Sequence, residues 1–201
     1  MGNWSIVVPE AATNLVTNPS AETNTTGYTA GAGTLARDTT RQMYGYYSLK
    51  YTPAAATSDG FYYAITLVAA TQYTITVYVY DVAAVLYKLR LYDVTGAVDK
   101  GATTWTGTGT GWTRKTLTVT TGANTSHRIY VEKNVDTSVA AYYVDAVQCE
   151  AAGYATTYVD GDQPGCIWTS TVHGSTSSRS AQSRAGGRVR DIDDTYAVKT
   201  T

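Results

Sequence analysis

The stretch Gln72-Tyr-Thr-Ile-Thr-Val-Tyr-Val-Tyr80 decides the fold class, because side chains suited to a buried core alternate in it with Thr and Tyr side chains suited to a solvent-facing surface. One face of it carries Tyr73, Ile75, Val77 and Val79. The opposite face carries Thr74, Thr76, Tyr78 and Tyr80. Successive side chains of a β-strand point to opposite sides of the sheet. The period of two therefore predicts a strand with one buried face.

The same alternation recurs along the chain and predicts further strands. They are Asn14–Thr17, Thr34–Thr40, Tyr47–Thr52, Gly60–Leu67, Leu86–Asp93, Trp112–Thr120, His127–Lys133 and Ala140–Glu150. Stretches rich in turn residues separate them at Asn24–Gly33, Gly96–Gly101 and Thr106–Gly111. No strong amphipathic helix lies between them. The pattern predicts an all-β chain folded as an antiparallel two-sheet sandwich.

The composition fits strands and excludes two classes of partner. The chain has 18 Tyr and abundant Thr, which suit a pleated, half-exposed surface. Its net charge is -1, whereas a duplex-binding protein shows a strong basic excess, so we expect no nucleic-acid partner. No run approaches the ~20 apolar residues of a membrane span. Residues 1–9 also lack a basic region followed by an apolar run, which predicts a soluble protein made without a Sec-type signal.

No enzyme active site is recognisable in the sequence. Glycoside hydrolysis needs two facing carboxylates, and the candidate acids stand almost entirely in turn-like contexts: Asp81, Asp93, Asp136, Asp160 and Asp162. The only histidines, His127 and His173, have no triad or metal-cluster neighbours in sequence. Asp160-Gly-Asp162 lacks the rest of a calcium loop and predicts a tight turn opening a hairpin. We expect a non-enzymatic protein.

The two cysteines, Cys149 and Cys166, are too few for a disulfide framework and lack zinc-site spacing. A reduced pair is the favoured interpretation, and a disulfide between them stays open. The sequence pattern itself changes after residue 150. It predicts an N-terminal arm over 1–13, a main domain over 14–150 and a C-terminal hairpin and extended arm over 151–201.

Four short stretches resemble carbohydrate-binding modules of the galactose-binding-like jelly-roll group. They are Asn14–Glu22, Gly45–Lys50, Gly111–Lys115 and Tyr143–Glu150. The resemblance implies a jelly-roll over residues 14–150 and one structural calcium, held by Glu22 and Asp145 with local carbonyl oxygens. The alternative is that Glu22 caps a turn while Asp145 accepts hydrogen bonds from the backbone.

The segment Gly153–Arg179 resembles a segment of tail and other virion proteins of tailed bacteriophages, most distinctively in Asp160-Gly-Asp-Gln-Pro-Gly-Cys-Ile-Trp168. This resemblance implies a tail-associated virion structural protein, made in the bacterial host cytoplasm. Its expected partners are other virion subunits and further copies of itself. Two alternatives are a purely architectural subunit (head decoration, collar or tail assembly) and a glycan-binding accessory module of a bacterial surface protein.

The alternation also predicts a ligand surface on the face opposite the core. If it holds on the central strands, one sheet surface carries Tyr78, Tyr80, Lys88, Arg90, Tyr92, Arg128 and Tyr130. Flat rings suit the C–H faces of a pyranose, and charged groups suit its hydroxyls. The residues chosen as glycan-binding, toward host surface glycans, are Tyr78, Tyr80, Arg90, Tyr92 and Tyr130. A subunit contact or plain solvent-facing surface are the alternatives.

Overall fold

A computed structural model describes residues 10–181 and shows thirteen β-strands and no helix within that range. In chain order they are β1 (Ala12–Asn14), β2 (Tyr28–Ala30), β3 (Thr34–Asp38), β4 (Ser48–Thr52), β5 (Gly60–Thr66), β6 (Gln72–Tyr80), β7 (Leu86–Asp93), β8 (Val98–Thr106), β9 (Trp112–Thr120), β10 (Ser126–Lys133), β11 (Tyr142–Glu150), β12 (Cys166–Trp168) and β13 (Ser177–Arg179). The N-terminal arm before residue 10 and the arginine-dotted arm after residue 181 lie outside the described residues.

Two five-stranded antiparallel sheets form the sandwich. Sheet I has the order β2-β5-β10-β7-β8, and sheet II has the order β3-β4-β11-β6-β9. A third sheet of three short strands, sheet III, has the order β1-β13-β12. This arrangement confirms the predicted all-β, two-sheet jelly-roll with a C-terminal hairpin.

The core lies between sheets I and II and is built by the alternation seen in the sequence. Ile75, Val77 and Val79 of β6 are fully buried, as are Leu89 and Leu91 of β7. Apolar side chains that face one another across two sheets leave water together, and each buried side chain of this size contributes about 1.5–3 kcal/mol. The inward face predicted for β6 is confirmed.

Three elements depart from the prediction. The first strand is Ala12–Asn14, in sheet III, and not Asn14–Thr17. The other two are edge strands of the sandwich. Strand β8 begins at Val98, inside the expected turn Gly96–Gly101, and β2 occupies Tyr28–Ala30 inside the expected turn Asn24–Gly33. An edge strand pairs on one side only, so it tolerates glycine and a polar sequence that a central strand would not. Gly101 marks a register shift in the pairing of β7 with β8. The turn prediction was wrong for residues 28–30 and 98–101 for that reason, whereas the turns at Gly27 and Gly96 are present.

The segment after β11 packs back on the outer face of sheet II. Thr74 and Thr76, which the alternation places outward, are fully buried, and the Thr74 hydroxyl donates to the carbonyl of Ala152 at 2.9 Å. Gln148 accepts a hydrogen bond from the backbone N–H of Val159 at 2.8 Å. The segment thereby covers the outer face around Thr74 and Thr76, and a groove remains beside Tyr80 and Tyr143.

Asn14 joins the first strand, the last sandwich strand and the C-terminal segment. Its amide donates to the carbonyls of Val147 and Val159 at 3.0 and 3.1 Å, and its oxygen accepts from the backbone N–H of Cys149 at 3.1 Å. Both Cys149 and Cys166 are buried as free thiols. Among the described residues, no helix is long and apolar enough to cross a membrane.

Candidate functional site

The five residues predicted to bind glycan do not share one surface. Tyr78 and Tyr80 belong to β6 in sheet II, while Arg90, Tyr92 and Tyr130 belong to β7 and β10 in sheet I. Each set lies opposite the core on its own sheet, so the two sets face away from each other. The expectation of one shared face was wrong, because alternation fixes the side of a strand but not the sheet it joins.

The outer face of sheet I is an ion-paired cluster. Arg90 donates to the carboxylate of Glu132 at 2.8 and 3.2 Å and to Asp99 at 2.6 Å. Lys88 lies 2.9 Å from Glu132 as well. The Arg90 guanidinium also covers the Tyr130 ring, 3.9 Å from its centroid. Arg90 and Lys88 are therefore both paired with carboxylates, and Arg90 covers one face of the Tyr130 ring.

The same pattern continues along sheet I. The Arg128 guanidinium lies 4.3 Å from the centroid of Tyr62, and it donates to the Tyr130 hydroxyl at 3.3 Å. Tyr92 meets Tyr130 edge to face at 6.1 Å. The rings and guanidinium groups therefore stack on each other, which suits a stable solvent-facing sheet surface.

The outer face of sheet II carries a row of side chains in register across four strands. Lys50 pairs with Tyr143, Tyr143 pairs with Tyr80, and Tyr80 pairs with Trp112. Neighbouring strands lie about 4.8 Å apart, so the row extends about 14 Å across the strands. The Tyr80 and Trp112 rings meet edge to face at 5.9 Å, and the Tyr80 and Tyr143 rings at 6.5 Å.

Arg41 stands over this row from the loop between β3 and β4. Its guanidinium lies 3.9 Å from the Tyr80 centroid and 5.5 Å from that of Tyr143. It forms no side-chain hydrogen bond or salt bridge within residues 10–181. The three residues line a cavity of about 370 Å³, completed by Asp81, Val82, Ala83, Gly109 and Ala141. A planar donor beside aromatic rings in a cavity of this size is suited to a sugar.

Tyr78 lies one row further along β6 and is packed more closely. Its ring meets that of Tyr44 edge to face at 5.7 Å, and the Arg114 guanidinium lies 5.7 Å from it. Arg114 in turn donates to the Thr76 hydroxyl at 2.9 Å. Of the five chosen residues, only Tyr80 lines the cavity. Sequence reasoning missed Arg41 because a loop residue has no period, and it missed Tyr143 and Trp112 because sheet neighbours are not sequence neighbours.

Glu22 and Asp145 hold one loop by its backbone. Asp145 accepts from the N–H groups of Met43 and Tyr44 at 2.8 and 3.0 Å. Glu22 accepts from those of Tyr46 and Tyr47 at 3.1 Å. Gly45 lies between them at φ +70°, and a Cβ there would collide with the Glu22 carboxylate. The two carboxylates fix the loop that also carries Arg41.

The electrostatics of this pair bear on the calcium prediction. Burial raises the pKa of Asp145 to about 7, against the effect of its backbone hydrogen bonds and with repulsion from Glu22. Carboxylate oxygens are ligands that a hard cation takes, and all four oxygens of this pair already accept backbone N–H groups. The backbone contacts also fit the alternative, in which the pair fixes the loop without metal. The donor chemistry thus fits calcium, which stays a prediction.

His173 does have metal-ligating neighbours, contrary to the sequence expectation. Its Nε2 lies 3.2 Å from the Asp162 carboxylate, and the ligand atoms of Asp160, Asp162 and His173 all lie within 4.8 Å of one another. The predicted tight turn is also present, since the backbone N–H of Gln163 donates to the Asp160 carbonyl at 2.9 Å. The contact was missed because eleven positions separate Asp162 from His173 in sequence.

Comparison with known proteins gives a fold but no family. No protein-family model and no curated protein match the chain. Among solved structures, the C-terminal family 22 carbohydrate-binding module of Clostridium thermocellum xylanase 10B is similar at 18% identity and a TM-score of 0.57, over 68% of this chain and 92% of that one.

Two further solved structures of carbohydrate-binding modules are similar to this chain in fold. The CBM22-1 xylan-binding domain from Paenibacillus barcinonensis is similar at 19% identity and a TM-score of 0.57, over 75% of this chain and 100% of that one. A family 16 carbohydrate-binding module is similar at 18% identity and a TM-score of 0.52, over 68% and 99% of the two chains. The chain has the jelly-roll fold of carbohydrate-binding modules.

Proposed function

We propose that this protein is a glycan-binding module and that its ligand lies in the groove on the outer face of sheet II. The observation that carries the proposal is the row Lys50, Tyr143, Tyr80 and Trp112 beneath Arg41, beside a cavity of about 370 Å³. The fold similarity to xylan-binding domains supports it. We therefore favour the function of an accessory glycan-binding module over that of a virion subunit.

The chemistry of the groove suits a polysaccharide chain running across the strands. The aromatic rings offer flat apolar surface to the C–H faces of successive sugars, while Arg41 and Lys50 donate to hydroxyl or carboxylate oxygens. Arg41 comes from a loop and has no carboxylate partner in the described residues, so its guanidinium can move to meet a ligand. One module of this kind would bind a polysaccharide weakly. Several copies of the protein on one surface would bind it more tightly together.

Affinity electrophoresis tests the proposal. Purified protein is run through gels containing xylan, mixed-linkage β-glucan or extracted bacterial surface polysaccharide. A double variant, Tyr80→Ala with Tyr143→Ala, is run beside a matched control on sheet I, Tyr92→Ala with Tyr130→Ala. We expect retardation of the wild type and the control, and loss of at least tenfold in affinity for the sheet II variant.

The same gels test the prediction from the sequence that Arg90, Tyr92 and Tyr130 bind glycan. Loss of retardation only in the sheet I variant would move the site to that face. Absence of retardation in every gel, with circular dichroism showing a folded wild type, would argue against glycan binding and leave an architectural role.

A virion structural protein is the second candidate, supported by the resemblance of Gly153–Arg179 to tail-protein segments. In that context the module would sit in many copies beside other virion subunits. Mass spectrometry of purified phage particles that carry this gene is the test. Its stoichiometric presence would establish the virion role, and its absence from particles together with presence on the bacterial surface would establish the accessory-module role.

A structural calcium between Glu22 and Asp145 is proposed with this module. The ion would join the start of the sandwich to its last strand and fix the loop that carries Arg41. We expect calcium to raise the melting temperature by several degrees over a chelated sample, with no effect in an Asp145→Asn variant. Equal melting temperatures with and without calcium would favour the loop-capping role of the two carboxylates.

A further inference from the structure

We propose that Asp160, Asp162 and His173 form a site for a divalent transition metal of the zinc class, separate from the glycan groove. The three residues come from the turn before β12 and the turn between β12 and β13. Two carboxylates and one imidazole with ligand atoms within 4.8 Å of one another form a mixed nitrogen and oxygen donor set. The site goes beyond the proposed glycan binding and does not depend on it.

The spacing of the donors matches coordination. His173 Nε2 lies 3.2 Å from the nearer oxygen of Asp162. Two ligands bound tetrahedrally at 2.0–2.1 Å stand about 3.3 Å apart, so this edge of the site needs almost no movement. Asp160 completes the set from a buried position, 3% exposed.

Both carboxylates have supporting hydrogen bonds from neighbouring residues. Asp160 accepts from the hydroxyls of Ser20 and Tyr158 at 3.1 and 3.0 Å. Asp162 uses one oxygen to accept from the Trp168 indole at 3.0 Å and turns the other to His173. Metal-ligating carboxylates are commonly oriented by such outer contacts, and these contacts leave lone pairs free.

The cavity beside these donors has room for an ion and its water ligands. The donors open into a cavity of about 300 Å³, which Ser20, Glu22, Tyr44, Gly45, Tyr46 and Gln163 also line. The Nδ1 atom of His173 is buried without a hydrogen-bond partner among the described residues. The imidazole is therefore held in place by Asp162 and by edge contact with Trp168, at 5.1 Å, alone. A metal ion at Nε2, the nitrogen that faces Asp162, would join this ring to the two carboxylates.

The donor chemistry selects the ion. Imidazole nitrogen suits zinc, nickel and similar ions, whereas calcium takes oxygen ligands. The remaining positions would be filled by water in the cavity. The bound ion would tie the turn at residues 160–162 to the turn at His173, and so pin both ends of the β12 strand against the sandwich.

Titration with zinc chloride, followed by nuclear magnetic resonance of the imidazole groups, tests the site on the full chain without an affinity tag. The chain has two histidines, so His127, which is buried in the sandwich, is an internal control. We expect the His173 signals to move and saturate at one equivalent of zinc while the His127 signals stay. In an Asp145→Asn background, which lacks the calcium site proposed above, calcium at the same concentration should leave both unchanged.

Two variants make the test specific. His173→Asn removes the imidazole but keeps a residue that accepts the positive φ of +54° at this position. Asp162→Asn keeps an acceptor for the Trp168 indole. We expect each to weaken zinc affinity at least tenfold by calorimetry. Unmoved His173 signals at two equivalents of zinc, a response to calcium in place of zinc, or equal zinc affinity in folded variants would overturn the proposal.

Discussion

Each outer face of the sandwich has a buried carboxylate next to its tyrosine rings, and the partners of the two carboxylates differ. On sheet I, Glu132 is 3% exposed and contacts both Arg90 and Lys88. On sheet II, Asp145 is 1% exposed, accepts only backbone N–H groups, and has Glu22 as a neighbour of like charge. A paired buried charge stabilises a surface, while an unpaired one keeps an unfavourable electrostatic energy.

The difference separates a structural surface from a candidate binding surface. On sheet I, Arg90 and Lys88 share the buried carboxylate of Glu132, while Arg128 stacks on Tyr62 and has no carboxylate partner in the described residues. Sheet II has a groove, a loop arginine without a carboxylate partner in the described residues, and an acid whose pKa is raised. Both faces are rich in tyrosine, both carry an arginine stacked on a ring, and both have a lysine paired with a carboxylate. What distinguishes sheet II is the cavity beside Tyr80 and the raised pKa of Asp145.

The largest expected effect is the pH dependence contributed by Asp145. Its pKa is about 7 in the folded protein and about 4 in the unfolded chain. The folded state therefore binds the extra proton between these values. The contribution of Asp145 to the free energy of unfolding is greatest below pH 4 and falls as pH rises to 7, by on the order of 4 kcal/mol. Urea unfolding from pH 4.5 to 7.5 in a chelator measures it.

The comparison with Asp145→Asn isolates this group from the others. Several carboxyls have lowered pKa values and contribute in the opposite direction, among them Asp38, Asp59 and Asp136. The difference between wild type and variant should change with pH as described. A difference that is constant from pH 4.5 to 7.5 would show that Asp145 is ionised throughout.

Glu132→Gln is the corresponding change on sheet I. It leaves Arg90 and Lys88 without their shared buried partner and should lower the free energy of unfolding by about 3 kcal/mol. Chemical denaturation at pH 7 measures the loss. Polysaccharide retardation at low temperature should stay at the wild-type level, because this face is not the groove. If binding fell while stability held, the roles assigned to the two faces would be reversed.

Arg41→Ala and Arg128→Ala compare the contributions to polysaccharide affinity of two arginines that stack on tyrosine rings on opposite faces. For Arg41→Ala we expect a loss of about tenfold in polysaccharide affinity, about 1.4 kcal/mol, because the planar donor over Tyr80 is removed. Arg128→Ala removes an arginine that also stacks on a tyrosine, but from sheet I, and should keep wild-type affinity. Affinity electrophoresis of both proteins provides the comparison, and equal losses would contradict it.

Asp99→Asn should have the smallest effect. Asp99 contacts Arg90 at 2.6 Å, but its side chain is 43% exposed and Arg90 keeps Glu132. Exposed ion pairs contribute about 0–1 kcal/mol, so we expect a change below about 0.5 kcal/mol. A loss as large as that of Glu132→Gln would show that the outer network of sheet I acts as one unit.

The sequence by itself determined the fold class and the inward face of the central strands. The alternation in Gln72–Tyr80 is a local property, since neighbouring side chains of an extended chain must point to opposite sides. The core positions Ile75, Val77 and Val79 follow from it. The edge strand Val98–Thr106 was missed because pairing on one side allows a polar sequence with glycine.

Only the tertiary structure decided which residues meet. Tyr80 and Tyr130 show the same outward alternation, yet they lie on opposite faces, because strand order and sheet membership are set by packing between distant segments. Tyr143 and Trp112 reach Tyr80 through strand register, and His173 reaches Asp162 through a hairpin. Local patterns give the side of a strand; the surface to which that side belongs is fixed only when the sheets assemble.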